Sequence, residues 1–388
     1  MIAYSQKNLD NLSVRDQVRD ALDAGCISAE ENTRIRTAYP VDFYMPNFFI
    51  CIGLFVLTTI IALCSFGFFI LINSRSEDSL NVLTIFFGLI CYGALEIMVY
   101  KFRHFRSGVD YALLWMSASL LFAGIYMAVN NMSFAFQCIT VCSISLFFAL
   151  RFANHLMALI AYIALVTWII NTGTEPDENY QRLLPFIIMA VSIAACFLSF
   201  RLYEVKKCRH YRESLANIKV ASLVSFYLAG NYFAVSEMNN SIFNHTGNAE
   251  NISIAWLFWI LTVSTPLFYI YRGLRKKDHL FIWTGLGLVA ATVLTVRYYY
   301  HVLPVEWALI IGGLVMIVIA YVLTRYLKTP RHGFTSLEST NKHLLENLHI
   351  ESLIIAETFG GSTAAKAPPN DFQFGGGSGG GGGAGGQY

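Results

Sequence analysis

The sequence predicts an all-α, polytopic transmembrane helical bundle of about ten spans, with its N-terminus and C-terminus both inside. Three observations carry this reading. Ten apolar stretches lie between Pro46 and Leu327. Hydrophobic residues make up 55% of the 388 and charged residues only 13%, too little polar surface to wrap soluble domains of that length. Of the 27 Lys and Arg residues, all but Arg75, Arg182 and Arg297 fall on the N-terminal segment or on the connections after spans 2, 4, 6, 8 and 10. The positive-inside bias puts those connections in the cytoplasm and makes the number of crossings even. The implied location is a cell inner membrane, and the first partner is the lipid bilayer. The net charge of +2 gives no ground for a nucleic-acid partner, because the basic residues are spread along membrane ends rather than gathered in one patch.

Residues 1–45 read as a cytosolic helical hairpin. Ser13 looks like an N-cap with Asp16 at its third position, Val14, Val18 and Leu22 form an apolar stripe, and Gly25 supplies a left-handed stop. Ser28, followed by Glu30 and Glu31, starts a second helix that Pro40 ends. So short a pair cannot bury a core of its own, so it must lean on the membrane domain, another subunit or a partner. The segment is too polar for a cleavable signal peptide, which leaves span 1 as the targeting signal.

A hydrocarbon core of about 30 Å needs about 20 helical residues. The stretches that meet this are 46–72, 80–100, 108–128, 132–150, 155–171, 183–203, 219–236, 254–271, 280–297 and 305–327, so that 46–327 forms the membrane domain. The split between the fourth and fifth rests on Arg151 at a cytoplasmic turn. Outer connections are short, apart from 237–251, whose sequons begin at Asn239, Asn244 and Asn251 and would matter only in a eukaryote. Beyond the membrane, 328–358 reads as a cytosolic amphipathic helix with a capping box at Thr335 to Glu338. Residues 359–388 read as a disordered Pro/Gly-rich tail, either a spacer or a recognised terminus.

The run Leu22, Asp23, Ala24, Gly25, Cys26, Ile27, Ser28, Ala29, Glu30, Glu31 directly ahead of a multi-span block resembles the opening of a family of uncharacterised bacterial polytopic membrane proteins. The Gly-rich terminus closed by Gln387 and Tyr388 is similar to tails on membrane proteins of Bacteroidetes-like bacteria. The resemblance implies a bacterial inner-membrane protein. It brings no catalytic or ligand residues with it.

Catalytic signatures are missing: there is no His-Glu-x-x-His, no Gly-x-Ser-x-Gly and no P-loop. The enzyme reading therefore has no motif, and no cofactor or metal is expected. Cys138 and Cys142, one turn apart, are read as packing residues rather than ligands of a soft metal.

Ionisable residues within spans are costly and mark sites or interfacial pairs. Glu96, near the inner end of span 2, is either paired with Lys101 and Arg103 or a proton or cation site. Asp110 can join an inner cluster with Arg106, Arg151 and His155. Near the outer face, Arg297, Tyr298 and His301 stand close to Glu306 across a short turn, with Glu237 and Asn231 at a similar depth. These residues form either a mouth for an anionic or zwitterionic headgroup or an ordinary aromatic belt.

Two functions fit. One is a secondary carrier or lipid-handling protein for a small-molecule or lipid substrate, built from five plus five inverted helices. Its broken-helix signals are weak: Pro185 and Pro266 sit at or near span ends, while Gly285 and Gly287 cluster in span 9. The other is a membrane scaffold or sensor that presents the hairpin and Gly-rich tail to a cytosolic protein partner.

Overall fold

A computed structural model of the chain describes residues 2–299, apart from 24, 74–76, 130–131, 173–177, 243–253 and 277, together with scattered positions between 310 and 325. The predicted tenth span, the 328–358 helix, the tail, His301 and Glu306 lie outside or almost wholly outside the described residues. By its contacts the chain divides into a unit from Met1 to Tyr321 and another from Val322 to Tyr388.

Every regular element among the described residues is a helix, and one isolated bridge joins Tyr44 and His104. The hairpin comprises α1 (Gln6–Asp23) and α2 (Ala29–Ala38). Then follow α3 (Phe48–Asn73), α4 (Glu77–Tyr100), α5 (Val109–Ala128), α6 (Phe134–Phe152), α7 (His155–Thr172) and α8 (Glu178–Glu204). A short 3-10 turn (Lys206–Tyr211) leads to α9 (Arg212–Gly230), α10 (Tyr232–Ile242), α11 (Ala255–Lys276) and α12 (His279–Tyr299). Eight of these helices are long and apolar enough to cross a membrane, or nine counting the bent pair at α9 and α10 as one span.

Two expectations for the hairpin hold and one is corrected. Gly25 has a φ of +69°, and Cys26 N–H donates to the Ala21 carbonyl at 2.8 Å, the left-handed helix stop its position predicted. Ser28 and Glu31 form the reciprocal capping box, with Ser28 N–H donating to Glu31 Oε2 at 2.8 Å. That bond holds the Glu31 carboxyl below its usual range. Ser13, however, is not an N-cap, because α1 already begins at Gln6. Nothing between residues 6 and 12 breaks a helix, and Leu9 and Tyr4 bury themselves in the bundle beside Leu95, Leu113, Phe148 and Phe152. Packing thus extends the helix beyond its local start signal. The hairpin leans on the membrane domain, as its small size required.

Successive helices pack as antiparallel hairpins: α4 with α5, α6 with α7, α8 with α9, and α11 with α12. Two of these pairs close tightly at glycines. A Cβ on Gly124 would stand 2.5 Å from Ile85 Cγ1, and one on Gly285 would stand 2.8 Å from Ile270 Cγ1. Gly285 is therefore a packing contact and α12 is unbroken, so the cluster with Gly287 does not mark a broken helix. Pro185 and Pro266 lie inside α8 and α11 rather than near their ends, since both helices run farther than the apolar stretch alone suggested.

The turn between α6 and α7 sits where Arg151 placed it. Ala153 takes the left-handed conformation at φ +49°, and Asn154 Oδ1 accepts from the N–H groups of Leu156 and Met157, each at 3.0 Å. The break in the chain comes instead at Asn231. There α9 ends and α10 leaves at 73°, a bend that the apolar pattern of 219–236 concealed.

Candidate functional site

Glu96 is held by a residue distant in sequence. Arg151, at the end of α6, donates Nε to Oε1 at 2.7 Å and Nη2 to Oε2 at 2.9 Å, and Tyr92 donates its hydroxyl to Oε1 at 2.7 Å. The partner is thus Arg151 rather than Lys101 or Arg103. Arg103 pairs with Asp42 at 2.8 Å, outside the span. A forked guanidinium on a half-buried carboxylate ties α4 to α6.

Asp110 is buried at the start of α5 and satisfied on several sides. Its Oδ2 accepts from Arg106 N–H at 2.8 Å, and its Oδ1 accepts from Ser107 N–H at 2.9 Å. Burial beside this carboxylate pushes the Tyr4 phenol well above its ordinary pKa. The predicted inner cluster partly assembles: Arg106 pairs with Glu213, whose carboxylate also lies 3.7 Å from His155 Nδ1. Arg151 belongs to Glu96 instead. Asp110, Arg106, His155 and Glu213 line a cavity of about 250 Å³ beneath α1. Leu9, Leu12, Ser13 and Asp16 of α1 line it too, and Asp10 of the same helix pairs with Arg209.

At the opposite end of the helices, Asn231 acts within the protein. Its Nδ2 donates to Tyr227 Oη at 2.9 Å and Thr295 Oγ1 at 3.0 Å, while Oδ1 accepts from Ala234 N–H at 3.1 Å and caps α10. Tyr298 packs edge-on against Phe233 at 4.8 Å, and Tyr299 against Tyr232 at 5.0 Å. Glu237, half-buried, stands one turn beyond Phe233 on α10. Among the described residues Arg297 has no ion pair. Asn231, Glu237 and Tyr298 are thus brought to one end as aromatic and amide packing, whereas the Arg297 to Glu306 pairing falls outside the described residues.

A larger concavity than the one beneath α1 lies between α8 and α11, both of which pack on α9. This cleft of about 520 Å³ is walled by Ile193 and Phe197 of α8 and by Leu261 and Phe268 of α11, with Leu223 and Phe226 of α9 behind them. Phe197 and Phe268 are 59% and 55% exposed, so the cleft is open along the flank of the helices. Positions 261, 264, 265, 268, 269 and 272 of α11 all line it, which is the i, i+3, i+4 spacing of one helix face. Its volume lies within the range of about 300 to 1,000 Å³ for small-molecule sites.

One mouth of the cleft is cationic. Lys219, buried on α9, pairs with Asp278, and its Nζ stands 4.3 Å from the Phe200 ring centre and 5.0 Å from that of Phe281. The Arg272 guanidinium faces the same two rings at 5.7 and 5.5 Å. Asp278 also caps α12 by accepting from Leu280 N–H at 3.1 Å, which fixes the carboxylate toward Lys219. Among the described residues Arg272 has no carboxylate partner. The cleft is thus an apolar trough ending in a guanidinium at the end of the helices to which the hairpin docks.

Sequence reading did not single out Arg272, Lys219 or Asp278. Their positions at predicted inner ends gave each an ordinary topological role, and the pairing of Lys219 with Asp278 joins residues 59 apart. Compared with protein-family models, curated proteins and solved structures, the chain matches none.

Proposed function

We propose that this is a ten-span bacterial inner-membrane protein, N-in and C-in, that handles lipid through the cleft between α8 and α11. The observation that carries the reading is a largely apolar trough, edged by the exposed Phe197 and Phe268 on the flank of the helices, that ends in Arg272. A carrier of polar solutes needs a polar cavity reached from water, whereas a lateral apolar opening suits an amphiphile already in the bilayer. Glu96 then serves as a clamp between α4 and α6 rather than as an ion site, and the aromatic groups around Tyr298 serve as an interfacial belt. A scaffold role finds less support, because α1 is packed on the bundle instead of being free to engage a partner.

The test is photo-crosslinking with a phospholipid that carries a diazirine along its acyl chain, in nanodiscs. The proposal expects adducts concentrated on 192–200 and 261–272. Adducts spread evenly over all lipid-facing helices would contradict it. For the topology, Cys26, exposed in the hairpin, should resist an impermeant thiol reagent added outside intact cells. Labelling from outside would reverse the orientation.

A further inference from the structure

The cleft has two unlike ends, and the difference identifies its ligand more narrowly than "lipid". Along α11 from Leu261 to Arg272 the lining spans about 16 Å at a helical rise of about 1.5 Å per residue. That is about half of a bilayer core of about 30 Å. The trough therefore takes a chain from one leaflet only. Its walls are mainly aromatic and aliphatic, with the small hydroxyls of Ser192, Ser222, Ser264 and Thr265 among them, and the one charged group in the lining is the Arg272 guanidinium.

Charge at that mouth is unbalanced. Lys219 and Arg272 are two cations over one pair of rings, and Asp278, the one carboxylate paired with either among the described residues, is engaged by Lys219 and by the start of α12. Arg201, in the last turn of α8, faces Phe197 at 5.1 Å and shares that turn with Glu204, while Arg275 and Lys276 in the last turn of α11 add further positive charge. The guanidinium keeps a planar set of donors that matches the oxygens of a phosphate or carboxylate in a forked geometry.

We infer that the cleft between α8 and α11 binds an anionic lipid of the leaflet on the hairpin side, with its acyl chain between Phe197 and Phe268 and its phosphate on Arg272. This rests on the lipid-handling reading above and adds headgroup charge and leaflet to it. A zwitterionic lipid carries the same phosphate, but it also brings an ammonium group to a mouth that already has excess positive charge. The net attraction therefore favours the anionic headgroup.

The experiment is native mass spectrometry of the full chain in detergent, titrated in turn with dioleoyl phosphatidylglycerol, dioleoyl phosphatidylcholine and inorganic phosphate. Wild type should retain phosphatidylglycerol about five- to tenfold more tightly than phosphatidylcholine, and phosphate alone should not displace it. Arg272→Gln should abolish the preference while leaving weak binding of both lipids, and Arg272→Lys should keep part of it. Lys101→Gln, which removes an exposed charge at the end of α4, away from the cleft, should leave it unchanged. A thermal melt of each variant in the same detergent separates lost binding from lost folding.

Equal affinity for the two lipids in wild type, or a preference that survives in folded Arg272→Gln, would overturn the headgroup assignment while leaving the cleft as a lipid site. Displacement of the lipid by phosphate at similar concentration would reassign Arg272 to a free anion and overturn the lipid at that mouth. Retention of neither lipid would overturn both readings.

Discussion

Glu96 and Arg272 show how differently charged residues in spans can be employed. Glu96 receives a forked guanidinium and a phenol, so its charge is met inside the protein. Glu96→Gln should therefore lower stability by about 1.5 to 3 kcal/mol, the range for hydrogen bonds to charged groups, and leave lipid binding intact. Arg151→Gln should cost a similar amount, and the double variant should cost less than the sum, because neither partner is then left as a lone charge. Chemical denaturation in detergent measures this; additive losses would remove the clamp and restore the ion-site reading. Residues whose partners are near in sequence were legible beforehand: Ser28 with Glu31, and Gly25 at its helix stop. Arg151 with Glu96 and Lys219 with Asp278 were not, because no local pattern states which helices become neighbours.

At the scale of elements, the helical hairpins depend on close approach. Gly124 lets α5 meet α4, and its added Cβ would meet both Ile85 Cγ1 at 2.5 Å and Ile85 N at 2.9 Å. Since a backbone atom cannot swing aside as a rotamer can, Gly124→Ala should destabilise by about 1 to 3 kcal/mol. Gly287→Ala meets nothing within 4 Å and should be neutral or slightly stabilising, by up to about 1 kcal/mol. Thermal unfolding of the two variants side by side decides it; equal effects would mean that α4 and α5 are not packed through Gly124. Span positions were largely readable because hydropathy reports burial in lipid directly. The bend at Asn231 was not, since Gly230 to Val235 is as apolar as its surroundings and the turn is set by Asn231 capping α10 across to Thr295 on α12. The early start of α1 escaped for a related reason: Leu9 finds its core on α4, α5 and α6.

At the largest scale, the described helices of the first unit differ between their two ends. One end gathers the hairpin, the cavity lined by Asp110 and His155, the clamp at Glu96 and the cationic mouth of the cleft. The other gathers aromatic rings around Tyr232, Trp259 and Tyr299. Positive charge gathered at one face and aromatic rings at the helix ends are ordinary features of a multi-span membrane protein. What sets this one apart is that the basic end also opens a lateral trough, the feature on which its proposed function turns. Ser264 is exposed and small and faces into the trough, whereas Leu267, also on α11 and exposed, lies outside its lining. The most direct measurement compares the lipid that co-purifies with wild type, Ser264→Trp and Leu267→Trp, quantified after matched detergent washes. Filling the trough should cut the tightly held phospholipid at least several-fold in folded Ser264→Trp and leave it unchanged in Leu267→Trp. Equal lipid retention in all three proteins would contradict the account.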